Sequence, residues 1–353
     1  MNLPKTNRNP KYQIHQNTMK THTKHTLTGL LLGGILAISA AQAQNTLTVD
    51  NRPGSAAMFD NFADAYAAAE SGDTIFLAGS STSYGTNHEI TKRIHLRGPG
   101  YLKPELGIEH ANRESAQIWV TFRQGSDGSS AKGIHFRPPT FSVWVDVSTA
   151  AIHFDQILMD GGSNSSWIVR SPTKIQRSYF RLSGSLESGA GGTIIENSRV
   201  FSITRNSSAH LLIRHCHLRG SWGVGGTSPQ RLEIENSTGD DFATAIDDAI
   251  IRNSILNTPF NGTGSGNLTE VPMTGEGGVY ESIFHDRFIL REDSPAKNAA
   301  PDGTDIGPTG GSRPLVPGGV GAMPRITVLN VPEAVTDSTG LEFEVGAKAA
   351  TQP

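Results

Sequence analysis

The chain has 353 residues, with 30 basic and 33 acidic side chains, 39 glycines, 19 prolines and one cysteine. Five of the basic residues (Lys5, Arg8, Lys11, Lys20, Lys24) and no acids fall in the first 43 positions, leaving 25 basic against 33 acidic and a net −8 beyond them. That balance excludes a general polyanion binder and leaves only a local basic patch to recruit an acidic ligand, while a lone cysteine excludes an intramolecular disulfide.

Residues 1–43 read as a leader. Met19 precedes a basic, His-rich stretch through Lys24 and His25, an apolar run from Leu27 to Ile38, and Ala41-Gln42-Ala43. This is the pattern of a secretory signal with a small-residue cleavage site, and the apolar run is short for a membrane span. The expected mature chain begins near Gln44 and is secreted or displayed at the cell surface, with no transmembrane segment. The polar stretch Met1–Thr18 fits either a start assigned too far upstream or a disordered extension.

One helix is predicted, over 60–70. Asp60 or Asn61 caps it, Phe62 and Tyr66 share a face, and Gly72 ends it. The strand Thr74–Ala78 follows directly, and a short amphipathic helix at this place suits a plug for the open end of a solenoid. Apolar runs at 93–96, 117–120, 133–136, 141–145 and 151–154, separated by Gly, Pro and Ser clusters, read as early coils. Among them Ile134 and Ile152 stand 18 residues apart.

A phrase then returns five times. It reads Ile175-Gln-Arg-Ser178-Tyr-Phe180, Ile195-Glu-Asn-Ser198-Arg-Val200, Ile213-Arg-His-Cys216-His-Leu218, Ile234-Glu-Asn-Ser237-Thr-Gly239 and Ile251-Arg-Asn-Ser254-Ile-Leu256, with leading isoleucines 20, 18, 21 and 17 residues apart. A unit of roughly twenty residues cannot bury its own apolar face and must stack on copies of itself. Val279-Tyr-Glu-Ser282-Ile-Phe284 reads as a degenerate late coil, preceded by a loop over 261–278. After Ser294-Pro295 the pattern stops: Asp302–Gly307 and Gly310-Gly311 read as turns, 314–324 as a Pro/Gly linker, and Arg325–Leu329 with Leu341–Val345 as a terminal strand pair. That pair either covers the C-terminal edge or opens a further module.

Stacking gives every position a neighbour about 4.8 Å away in the next coil. The leading Ile points inward and the second residue outward. The third, Arg177, Asn197, His215, Asn236 and Asn253, sits at a bend, where Asn tolerates the left-handed conformation. The fourth turns inward, so Cys216 is a small buried filler in a serine slot. The second position, Gln176, Glu196, Arg214, Glu235 and Arg252, alternates in sign over its last four members and reads as a structural ladder. The fifth and seventh positions place Tyr179, Arg181, Arg199, Phe201, His217 and Arg219 on one outward strip. Guanidinium groups bind carboxylate or sulfate through paired donors and aromatic faces stack on sugar rings; the alternative is a solvated face whose Arg stems cover apolar surface. Acid pairs at Asp240-Asp241 and Asp247-Asp248 lie at the lower end of the strip. They can act as acid and base on a glycosidic bond or hold Ca²⁺, or form an ordinary acidic loop. His95, His135 and His153 lack metal-ligand spacing and read as surface strand residues.

The helix followed by Ser71-Gly-Asp-Thr-Ile-Phe-Leu77, together with the Asn-Ser phrases, resembles secreted bacterial right-handed parallel β-helix proteins of the pectate-lyase-like superfamily. The tail Ser294-Pro-Ala296 with Asp302–Gly307 and Gly310-Gly311 is similar to the closing segment of uncharacterised secreted members. The resemblance spans about Thr48 to Ser312 and implies an all-β, single-stranded right-handed parallel β-helix of ten to twelve coils, with an N-terminal capping α-helix. That superfamily includes lyases, hydrolases, tailspikes and adhesins, so the fold does not carry an activity. Of the polygalacturonase-like motifs only Asp-Asp pairs occur. The lyase pattern of a base set against Ca²⁺-binding acids is matched only by Arg199 or Arg219 beside Asp240.

The expected organisation is a leader over 1–43, the β-helix over 44–312, and a linker with strand pair over 313–353. The expected function is polysaccharide binding by a monomer, with neither cofactor nor metal, at Tyr179, Arg181, Arg199, Phe201, His217 and Arg219. One alternative is a lyase or hydrolase acting on uronate polymers through Asp240, Asp241 and Arg219, with Ca²⁺ under the lyase reading. The other is a non-catalytic adhesin. Nucleic acid is not an expected partner.

Overall fold

A computed structural model describes residues 44–101, 114–139, 141–146, 149–161, 165–187, 190–205, 210–221, 223–224, 232–243, 249–260, 263–283, 288–315, 325–330 and 344–348. Residues 44–353 form one unit, built as a β-solenoid from three stacks of short parallel strands. Sheet I holds ten strands, from Thr46–Val49 to Ala249–Arg252; sheet II holds eight, from Ala116–Ile118 to Ile255–Leu256; sheet III holds seven, from His88–Ile90 to Gly223–Val224. A typical coil runs Thr173–Gln176, Tyr179–Phe180, Ser183–Leu186, one strand to each sheet. The seven strands of sheet III mark about seven full turns, fewer than ten to twelve. Among the described residues the first coil adds a strand to sheet I alone, the second to sheets I and III, and the last two to sheets I and II.

The leading isoleucines stack in register, Ile175 on Ile195, Ile213, Ile234 and Ile251, and all are fully buried. Burying each such side chain contributes about 1.5–3 kcal/mol. Toward the N-terminus the same slot is filled by Phe154 and Ala131. The 18-residue spacing of Ile134 and Ile152 is therefore accidental, because Ile134 lies in sheet II and Ile152 in sheet I. The early apolar runs likewise fall on three different sheets. Short strands and equal apolarity on all three walls hide the corner positions from a one-dimensional reading. The early coils are packed with Trp119, Trp144, Trp167, Phe122, Phe136, Phe154 and Phe180, with the Trp144 and Phe154 rings stacked 3.7 Å apart. Gly184 makes room for this: a Cβ there would lie 2.1 Å from the Trp167 indole in the coil before.

The corner between sheets I and II is a left-handed ladder. Arg177, Asn197, His215, Asn236 and Asn253 have φ between 48° and 51°, and Gln156 and Gly133 continue the row. Such a corner interrupts the strand-to-strand hydrogen bonds, and the fourth position repairs them. The Ser178 amide donates to Ser198 Oγ (3.0 Å), Cys216 to Ser237 Oγ (3.1 Å) and Ser237 to Ser254 Oγ (3.1 Å), while each serine hydroxyl donates to the carbonyl two residues earlier. A buried amide left without a partner costs about 1–3 kcal/mol, which is why a hydroxyl recurs at an inward position. Cys216 is completely buried, its thiol pushed up to about 12 by desolvation.

Two charge ladders run along the outside. Glu196 pairs with Arg214, and Arg252 with Glu235 at 3.4 Å, as the alternating signs anticipate. Gln176 differs in being buried, between Glu196 and Arg313. The second ladder, Glu89–Arg123–Asp146–Arg170–Glu187, runs along the far end of sheet III. Its members come from coils of unequal length, so no fixed spacing in the sequence announces it.

The helix is Phe62–Ala68, shorter than 60–70. Asn61 caps it by accepting from the Asp64 amide, and Phe62 and Ala65 are buried in the main core. At the other end the late coil over 279–284 is replaced by a hairpin: Tyr280–Ser282 pairs antiparallel with Ile289–Leu290. The stack instead ends inside the supposed loop, where Thr263 bridges Ile250 and Leu268 bridges Ile255. Asn267 takes the serine slot, accepting from the Ser254 amide, and Gly264 replaces the isoleucine because a Cβ would stand 1.7 Å from the Ile251 carbonyl.

From Val271 the chain turns back over the outside of the solenoid as a strap. Ile255, Met273, Val279, Tyr280, Phe288, Ala296, Ala300, Ile306 and Leu315 form a second apolar cluster. The turns over 302–311 lock the strap onto the corner ladder. The Gly307 amide donates to the Asn236 carbonyl (2.8 Å), Asn197 Nδ2 donates to the Gly310 carbonyl (2.6 Å), and Arg313 reaches Gln176 (3.0 Å). Arg325–Asn330 pairs antiparallel with Glu344–Lys348, the anticipated terminal pair with its second strand shifted three residues onward. Residues 316–324, like 1–43, lie outside the described set.

Candidate site on the outer face of sheet II

Strand pairing brings Tyr179, Arg199, His217 and Arg219 together on sheet II, while Arg181 and Phe201 follow in the connections from sheet II to sheet III. Tyr179 pairs with Arg199, Arg199 with His217, His217 with Thr238, and Arg219 with Asp240. The strip is not uniformly open. Tyr179 is 3% exposed, in a cluster with Tyr101 and Leu158; His217 is 0% exposed, its ring 5.1 Å from Phe288 and 5.8 Å from Tyr280 of the strap. The expectation that both face solvent is corrected: the fifth position points out of the coil, but Tyr101 and Leu158 cover Tyr179 and the strap covers His217. Arg199 lies between these two covers, its guanidinium 4.7 Å above the Tyr179 ring.

His217 is an uncharged structural group. Nδ1 shares a 3.0 Å hydrogen bond with Thr238 Oγ1, which also meets Tyr280 Oη at 2.9 Å, and Nε2 has no partner among the described residues. Desolvation, reinforced by the charges of Arg199 and Arg219, pushes its pKa down to about 3. An imidazole so placed cannot contact a soluble ligand.

The seventh position stays open. Arg181 and Phe201 are exposed, and Arg219 is partly so. Arg181 lies 3.6 Å from Asp160, the seventh residue of the unrecognised phrase that starts at Phe154. Asp160 is also 2.7 Å from His135 Nε2, while Ser115 Oγ meets the other ring nitrogen at 3.2 Å. His135 is thus buried and bridging, contrary to a surface reading. Burial alone raises the Asp160 pKa, but the His135 hydrogen bond and the charges of His135, Arg181 and Arg137 outweigh it, so the carboxyl stays below its ordinary value. Asp160, Gly161, Ser165, Arg181, Leu182, Ser183 and Phe201 line an open cleft of about 420 Å³. It presents a cation, a carboxylate, two hydroxyls and an aromatic face.

No protein-family model matches the chain and no curated protein is significantly similar to it.

At the lower end, Arg219 Nε is 3.9 Å from Asp240 Oδ2, and Asn257 Nδ2 donates to Asp240 Oδ1 at 2.9 Å. The Asp240 carboxyl is raised above its ordinary value, by burial and then by the neighbouring Asp241, against the pull of Arg219 and Arg199. Asp241 is exposed, with φ 51° in a strand whose register to the previous coil shifts. Asp247-Asp248 lies outside the described residues. Among the described residues no group of three or more His, Cys, Asp or Glu is arranged to hold a metal ion, and no helix is long and apolar enough to cross a membrane.

Reading the phrase alone misses Asp160, Ser165 and Ser183. Asp160 has a signal, since it stands where Arg181 and Phe201 stand in the next two coils. The serines come from sheet III and reach the cleft only through the turn of the coil.

Proposed function

We propose that the chain is an exported, right-handed β-solenoid that binds an acidic extracellular or cell-wall polysaccharide in the cleft between sheets II and III. The observation that carries this reading is the cleft itself, where the exposed Arg181 and Phe201 stand beside the hydroxyls of Ser165 and Ser183. A guanidinium suits a uronate carboxylate, an aromatic face suits the apolar face of a sugar ring, and hydroxyls exchange hydrogen bonds with its alcohols. Asp160, already paired with Arg181 and His135, holds the guanidinium in place. Arg199 and Arg219 extend the cationic line along the coils toward Asp240, whereas Tyr179 and His217 support the face from beneath.

Glycan-array binding of the mature chain, compared with an Arg181→Ala/Phe201→Ala variant, tests the reading. Binding to uronate-containing glycans that falls at least tenfold in the variant is expected; no binding, or unchanged binding, refutes it. A second reading, cleavage of uronate polymers, is favoured by Asp240, a half-buried carboxyl raised above its usual range beside Arg219. Product release distinguishes the two: unsaturated ends mean a lyase, new reducing ends alone a hydrolase, and neither leaves a binder or an adhesin.

A further inference from the structure

The outer face of sheet I carries a different feature. Running down one row, the described residues are Phe76, Arg97, Lys132, Asp155, Gln176, Glu196, Arg214, Glu235 and Arg252, each in register with the next. From Lys132 onward every charge has an opposite charge or a neutral amide beside it. Arg97 and Lys132 are the exception: two cations directly opposite one another on adjacent strands, an arrangement that destabilises a sheet.

No carboxylate lies within ion-pair distance of Arg97 among the described residues, and the charge of Asp155 reaches it only from farther off. One of its terminal nitrogens donates to the Leu96 carbonyl (3.3 Å) and to Ser130 Oγ (3.2 Å), and the side chain is half-buried. The same hydroxyl meets His95 Nδ1 at 2.9 Å, so Arg97, Ser130 and His95 form one connected group. Lys132, 44% exposed, has only a distant contact with Asp155 (3.9 Å), a carboxylate already held by Arg177 through two nitrogens. The cations are therefore poorly neutralised and share one outward patch with a hydroxyl and an imidazole.

We propose that Arg97, Lys132, His95 and Ser130 form an anion site for a tetrahedral oxyanion, a sulfate or phosphate group, on a face separate from the proposed glycan cleft. A guanidinium offers paired donors to such a group and an ammonium adds a point charge. An anion seated between them offsets the like-charge repulsion. His95 reports occupancy. Its pKa lies below the ordinary value because of burial and the charges of Arg97 and Arg93, and a bound oxyanion reverses the electrostatic part of that effect.

The test is an NMR titration of the His95 imidazole in the intact chain, with inorganic sulfate, inorganic phosphate, or chloride at matched ionic strength. Sulfate or phosphate is expected to raise the His95 pKa by about 0.5–1 unit beyond chloride. Lys132→Gln, at a well-exposed position, is expected to remove at least half of that rise without lowering Tm. Equal shifts in all three salts, or a full rise in Lys132→Gln, overturns the site. Sulfated dextran and neutral dextran, compared by the same readout, separate a polymer-borne group from a free ion: tighter binding of the sulfated polymer than of inorganic sulfate supports the polymer-borne form, and equal affinity refutes it. Arg181→Ala/Phe201→Ala is expected to leave the His95 shift intact, so the two proposals fail separately.

Discussion

Acid should loosen the strap through His217. The imidazole is fully enclosed between the sheet II strands and the strap's Tyr280 and Phe288, close to the cationic Arg199 and Arg219. Its pKa falls from 6.5 to about 3 on folding. Below pH 6.5 the unfolded chain binds a proton that the folded chain refuses. This contribution is therefore complete above pH 6.5 and is lost progressively as the pH falls toward 3. At pH 4.5 the unfolded imidazole is two units below its pKa and the folded one still neutral, so the loss is about 3 kcal/mol at 1.36 kcal/mol per unit. Carboxylates that are paired in the native state, such as Glu196, add their own acid sensitivity, so the comparison is with His217→Gln, in which only this group ceases to titrate. Urea unfolding at pH 7 and pH 4.5 should show the wild type losing about 3 kcal/mol more than the variant between the two, with hydrogen exchange at the Gly307 and Leu315 amides accelerating first in the wild type. Equal losses in both proteins would refute the reasoning, because they would mean that His217 is not excluded from protonation.

Removing a ladder hydroxyl should be costly: Ser198→Ala leaves the buried Ser178 amide without its acceptor and is expected to lower stability by about 1–3 kcal/mol in urea unfolding. Cys216→Ser, by contrast, places the usual residue in its slot and should change stability by less than about 1 kcal/mol, and the native thiol should resist iodoacetamide until denaturant is added. Gly184→Ala drives a methyl group into the Trp167 indole and should cost at least about 1–3 kcal/mol, read as a fall in Tm with altered tryptophan fluorescence. At the open cleft, Arg181→Ala/Phe201→Ala should leave Tm within about 2 °C of wild type, so any loss of glycan binding reflects contacts rather than unfolding.

The regular coils were legible because their repeat has few independent causes. An inward isoleucine, a left-handed corner residue and a corner hydroxyl each answer a need that recurs at every turn, and all five phrases fold as their residue types require. The early coils were less legible because Trp144, Phe154 and Phe180 fill the core with side chains of unequal size, and loops of unequal length separate the strands. The ladder from Glu89 to Glu187 shows the same limit, since its partners meet only through coil geometry. Position in the phrase correctly placed Arg181, Phe201 and Arg219 outward. It also placed Tyr179 and His217 outward, and for those two it was insufficient: their exposure depends on Tyr101 and on a strap whose Tyr280 and Phe288 stand far downstream of His217.

The sequence by itself determined the solenoid, the corner ladder and the alternating charges from Glu196 to Arg252, because each is set by neighbours at one coil's distance and the period makes those neighbours readable. Only the tertiary structure decided which outward residues meet solvent. Covering is a long-range event with no period: the strap buries one histidine of the strip, Tyr101 covers the Tyr179 ring, and what remains open is the cleft at Arg181 and Phe201 on one face and the paired cations of Arg97 and Lys132 on another.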